Sequence, residues 1–137
     1  MPDLRELLTE LAAEGLLVHG EFDFRAHLMK RDSLLVRAAS QSAVDSFLSN
    51  YDALMRLAEA VATHEGYRFG ESPHLAMKKI VQKLDPSIAR SNLDLVASER
   101  HKAKKSRVAP SAEAVGLLGA WNKALPLTPL VSELFGN

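Results

Sequence analysis

Between Ala43 and His64 the apolar residues Val44, Phe47, Leu48, Tyr51, Leu54, Met55, Ala58, Val61 and Ala62 recur at steps of three and four. That spacing is the signature of one helix carrying a broad apolar face. At about 1.5 Å per residue the rod is roughly 30 Å long, the width of a small domain. A chain of 137 residues has room for one core, so the other segments must pack around this rod.

Those segments also read as helices. Asp3 and Glu6 form the start of a capping box, Leu4, Leu7, Leu8 and Leu11 share a face, and Gly15 marks the stop. Residues 16–22 read as a connector, so the 1–15 helix is expected to dock loosely. A second helix is expected over Asp23 to Ala39, with Phe24, Leu28, Leu35 and Ala38 on its apolar side. After Gly66 comes a polar loop, "YRFGESPH". Ser72 as cap and Pro73 at the first turn then open a helix carrying Leu75, Met77, Ile80, Val81 and Leu84. Asp85-Pro86 opens a fifth segment with Ile88, Leu93, Leu95 and Val96. Pro110-Ser111 opens another with Val115, Leu117, Leu118 and Trp121. Pro126 breaks it, and Thr128-Pro129 begins a short terminal turn. Nothing alternates at period two for long enough to predict a sheet. The expectation is a single all-α domain, an antiparallel bundle of about five to six helices.

Several chemistries have no foothold. There is no cysteine, hence no disulfide, thiolate metal site or cysteine nucleophile; a reducing, cytoplasmic setting is the expectation. The acidic residues within MPDLRELLTELAAEG argue against a signal peptide, and no window is apolar enough to span a bilayer. His19, His27, His64, His74 and His101 include no pair at helical metal-binding spacing. Only His64-Glu65 and His74 flank a common loop, so no metal is expected. No nucleophile elbow or phosphate loop occurs, and no cofactor is expected. Glu6, Glu10 and Glu14 lie at spacing four. They read as an exposed acidic face or, alternatively, a dock for a basic partner.

Charge is uneven. Residues 1–75 hold 12 acids and 7 bases, residues 76–137 hold 5 and 10. The excess of base peaks in "SERHKAKKSR", Ser98 to Arg107. On a helix Arg100, Lys104 and Arg107 share a face, with His101 and Lys105 beside them. Such like charges repel slightly, and nothing in folding requires them. Arg100, Lys102, Lys104, Lys105 and Arg107 are therefore the candidate contacts to a nucleic-acid backbone. The competing reading is a solvated helix end whose cations suit the macrodipole. A third is an active site built from Arg100, His101 and Arg107.

The long helix ending "LAEAVATHEGYRFGESPH", the short helix after it, "LDLVASERHKAKKSR" and "APSAEAVGLLGAWNKAL" together resemble the HEPN superfamily over roughly residues 40–125. The resemblance implies a compact, usually dimeric bundle. It also implies either a metal-independent ribonuclease of toxin–antitoxin and defence systems or a relative that has lost catalysis and binds RNA or a protein. Active members carry an arginine, four to six residues and then a histidine, near the start of a late helix. Here Arg100 stands where the arginine is due, but His101 follows it directly, and Lys105, Ser106 and Arg107 occupy the histidine positions. A formal match, Arg68 and His74, falls in the loop between two helices. The resemblance thus implies a catalytically degenerate binder first, an unusual ribonuclease second. The third class is a purely structural or regulatory interaction bundle. A homodimer is expected, with Phe22, Phe24, Trp121, Leu130, Leu134 and Phe135 as the large apolar groups available for an interface.

Overall fold

A computed structural model describes residues 3–136. Among the described residues seven helices form an all-α bundle: α1 (Leu4–Ala13), α2 (Phe24–Ala38), α3 (Ala43–His64), α4 (Pro73–Leu84), α5 (Arg90–Ser106), α6 (Ala112–Ala124) and α7 (Pro129–Phe135). A 3-10 turn, Leu125–Leu127, joins the last two where Pro126 denies the helix a donor. No described helix is long and apolar enough to cross a membrane.

The rod α3 is the axis. Phe47, Tyr51, Leu54, Leu57, Ala58, Val61 and Ala62 are buried along it. A tight turn after Ala38 folds α3 back along α2, and α4, α5 and α6 cover its remaining sides. Asp23, Ser42 and Ser111 cap α2, α3 and α6 through their side-chain oxygens. Ser72 does not: its side chain makes no capping bond, and α4 starts with Pro73 alone. The fifth helix begins later than the Asp85-Pro86 pair suggests. Residues 85–89 form a turn in which the Asp85 carboxylate accepts from Ser87, and α5 starts at Arg90.

The expected loose docking of the N-terminal helix is not what the structure has. Leu4, Leu8 and Leu11 are buried in the common core. Asp3 accepts from the Glu6 amide at 2.8 Å, and the helix ends in a Schellman turn. The Leu16 amide bonds to the Leu11 carbonyl at 2.9 Å and Gly15 to Ala12 at 3.1 Å, with Gly15 at φ +81°.

The supposed connector also contains a strand. β1 (Leu17–His19) pairs antiparallel with β2 (Tyr67–Phe69), in the register Leu17–Phe69, Val18–Arg68, His19–Tyr67. The same device precedes each strand. α3 ends at Gly66, φ +90°, as α1 ends at Gly15. Both glycines turn the chain into an extended segment, and the segments meet. At Gly70 an added Cβ would lie 2.8 Å from the Gly15 carbonyl oxygen. The approach of the two loops therefore requires glycine there. Three residues per strand are too few for an alternating pattern to show in sequence. The ribbon fixes where α4 starts, and so where His74 sits.

Candidate functional site

α5 has its own core-facing stripe. Leu93, Val96 and Ala103 are buried, and the step of three and four between them passes through residue 100. Arg100 therefore points inward from a helix whose other basic residues point out. Its guanidinium carbon lies 5.4 Å from the centre of the Tyr51 ring. Its Nε is buried with no hydrogen-bond partner. An orphaned donor on a cation is costly unless a ligand supplies the acceptor.

Tyr51 comes from the middle of α3 and is fully buried. Its hydroxyl lies 2.9 Å from Nδ1 of His74, on the first turn of α4. Burial pushes the Tyr51 pKa up to about 12, with Arg100 acting in the opposite sense. Tyr51 thus keeps its proton at any ordinary pH. Burial, then the charges of Arg100, Lys78 and Lys104, lowers the His74 pKa below its ordinary 6.5. Near neutral pH His74 is uncharged, with one ring nitrogen a donor and the other an acceptor.

Arg100 and His74 open into a cleft of about 470 Å³ between α2, α3, α4 and α5. Lys30 and Arg37 of α2 and Arg56 of α3 also line it, together with Asp52, Glu59, Leu34, Met55 and Pro73. Four cations thus face two carboxylates. None of the four is in an ion pair among the described residues. Arg56 instead reaches Nδ1 of buried His27 at 3.1 Å. No cluster suited to a metal ion occurs among the described residues.

The sequence-predicted candidates separate. Of Arg100, Lys102, Lys104, Lys105 and Arg107, Arg100 enters the cleft, and Lys104 is near enough to influence His74. Lys102 and Lys105 are exposed, as is His101, the candidate acid/base beside Arg100. Arg107 ends α5 in the left-handed conformation and donates to Asp45 at 2.7 Å, so its charge is already answered within the chain. Arg68 and His74 do not form a pair. Arg68 is an exposed ribbon residue whose side chain runs over Gly20, whereas His74 belongs to the cleft. His64 is also separate from His74: its ring packs against Phe24 and Phe135. The acidic trio on α1 stays outside the site. Glu6 and Glu10 are exposed, and Glu14 lies 3.6 Å from Lys79.

Sequence reasoning missed Lys30, Arg37, Arg56 and Tyr51. Tyr51 looked like ordinary core, and the three cations are scattered along helices. One signal was available for Arg100: the stripe Leu93, Val96, residue 100, Ala103. A cation at a core-facing step demands an explanation.

A pH dependence follows from two histidines. His74 and His27 both titrate below 6.5 in the folded state, each chiefly through burial. The unfolded chain then binds protons that the folded chain refuses. Their stabilising contribution is complete above about 6.5 and is lost as pH falls through that value towards the folded pKa values. Denaturant midpoints should fall between neutral pH and about pH 5, and a His27→Gln/His74→Gln variant should show a shallower fall. An equal fall in both would assign it to the carboxylates Asp45, Asp94 and Glu99, whose lowered pKa values act in a more acidic window.

Comparison with family models, curated proteins and solved structures found no match to the chain.

Proposed function

We propose that the chain is a HEPN-like helical domain that binds RNA, or another phosphate polyanion, in the α2–α5 cleft without cleaving it. The observation that carries the reading is the buried, unpartnered Nε of Arg100 in a cleft with an excess of unpaired cations. A phosphodiester supplies what this arrangement lacks: a negative charge and several acceptors on one group. His74 fits the same role. When the Tyr51 hydroxyl donates to Nδ1, the His74 proton resides on Nε2, making a neutral donor and not a base. The toxin–antitoxin or defence setting comes with the family resemblance, the cytoplasmic location with the cysteine-free composition, and both belong to the same proposal.

A second reading uses the opposite tautomer. If His74 donates from Nδ1 to the Tyr51 oxygen, Nε2 carries a lone pair beside Arg100. That pair could remove a proton from a ribose 2′-hydroxyl while Arg100 steadies the phosphate. The histidine of that ribonuclease would be His74, not His101.

Both readings meet one experiment. A labelled single-stranded RNA is titrated with the protein in EDTA over a range of salt, and both retention and cleavage are read. The binder predicts affinity that falls with salt, with a log–log slope of about −3 for four phosphate contacts, and intact RNA. Cleavage in EDTA would replace the binder with the ribonuclease. No salt-dependent binding would overturn both and leave the interaction-bundle class.

A further inference from the structure

Phe24 and Phe135, two of the large apolar groups expected at an interface, stack on each other within the chain, with centroids 5.1 Å apart. Phe135 also walls a cavity of about 200 Å³ between α2, α3, the 3-10 turn and α7. Leu28, Leu57, Pro126 and Val131 complete its hydrocarbon lining, and Arg31 and Asp32 are its polar residues.

Pro126 explains why an arginine stands there. The Asn122 carbonyl would ordinarily accept from the amide four residues on, but residue 126 has no N–H. Arg31 supplies the missing donor: its Nη2 reaches that carbonyl at 2.7 Å. A carbonyl dipole answers only part of a full charge. Nη1 donates to the Asp32 carboxylate at 3.2 Å. The Asp32 side chain is 73% exposed, whereas that of Arg31 is 12% exposed. The counter-charge therefore sits in water and the cation in the protein. Nε of Arg31 is buried with no partner. Burial lowers the Arg31 pKa despite the carboxylate beside it, as expected of a guanidinium whose charge is incompletely answered.

We propose that this cavity binds a small monocarboxylate with a compact apolar body, such as benzoate or a branched short-chain acid. The carboxylate takes the unused Nε edge of Arg31 while the body fills the hydrocarbon pocket. Size and charge both select this ligand. An apolar cavity of about 150 Å³ holds a benzene ring, so about 200 Å³ admits such a ring with one carboxylate attached. The guanidinium fork matches a carboxylate in shape and charge, and the carboxylate supplies the acceptor that Nε lacks. A neutral ligand leaves the cation unanswered, and a cationic one is repelled. Asp32 is the one adverse group. It competes for Nη1, but an exposed carboxylate pairs weakly and turns to water at little cost. The site shares no lining residue with the α2–α5 cleft, so it stands whether or not RNA binds there.

The test is a titration of the full chain with sodium benzoate at constant ionic strength, read from the methyl NMR resonances of Leu28, Leu57 and Val131. Benzoate should shift all three and saturate with a dissociation constant of about 1 mM or tighter. Benzyl alcohol, the neutral analogue, should bind at least about tenfold more weakly. Arg31→Met should lose that preference for the acid, with circular dichroism confirming its fold, because the α6 cap goes with the arginine. Leu28→Phe keeps the cap and narrows the cavity, so it should weaken benzoate binding at least about tenfold. Asp32→Asn should tighten it a few-fold, since the competing carboxylate is gone. No shift at tens of millimolar benzoate, shifts confined to Leu34 and Met55 of the cleft, or full binding to Leu28→Phe overturns the cavity as the site. Equal binding of the alcohol, or an Asp32→Asn variant that binds no tighter, overturns Arg31 as its anchor.

Discussion

Replacing Leu8 with alanine should lower the unfolding free energy by about 2–5 kcal/mol, the range for emptying a fully buried leucine site. Leu8 has no exposed surface, and it lies between Leu4 and Leu11 on the buried face of α1. The loss has two parts: the transfer of the side chain and the cavity left behind. The surroundings are poorly placed to collapse. The end of α1 is held by the Schellman turn at Gly15, which leads directly into the ribbon with β2. Against a total stability of about 5–15 kcal/mol the change is large. Urea denaturation of Leu8→Ala beside exposed Glu10→Ala measures it. Glu10→Ala should stay within about 0.5 kcal/mol of wild type. A small effect at Leu8 would mean that α1 docks as loosely as the glycine-flanked connector suggests.

Arg100→Ala should weaken RNA binding about 10- to 100-fold while leaving the fold standing. The lower bound corresponds to about 1.4 kcal/mol, one good charge-assisted phosphate contact. The upper bound reflects the protected position of the guanidinium beside the Tyr51 ring. The salt slope should also shrink by about one contact. Folding should tolerate the change, because Arg100 has no ion-pair partner to abandon and its Nε is unsatisfied without ligand. Arg100→Lys should recover part of the affinity, since charge returns but the planar fork does not. Lys102→Ala, from the exposed side of α5, is the control and should change binding by less than about threefold. If Lys102→Ala weakens binding as much as Arg100→Ala, the contact is the outer basic face and not the cleft. Equal wild-type affinity in Arg100→Ala would remove the residue on which the proposal rests.

Much of the architecture was legible in the chain because helices are written locally. The three-and-four spacing of α3, the Asp3–Glu6 capping pair, the start at Pro110-Ser111 and the break at Pro126 each act within a turn or two. The all-α class followed from these signals. The short ribbon did not, since its two strands depend on loops some fifty positions apart finding each other. The same is true of the cleft. The basic run around Arg100 announced positive charge, but charge density alone does not say which cation turns inward. Arg107 belonged to the run and is tied to Asp45; Lys30, Arg37 and Arg56 did not, and line the cleft.

The sequence by itself determined the helices, most of their ends and the surplus of base in the second half, because propensity, capping and composition are properties of neighbouring residues. Only the tertiary structure decided that His74, Tyr51 and Arg100 share one place. They come from three helices, and their meeting depends on how α4 and α5 pack on α3. That packing is set by the burial of Met77, Ile80, Leu93 and Val96, residues that carry no chemistry themselves.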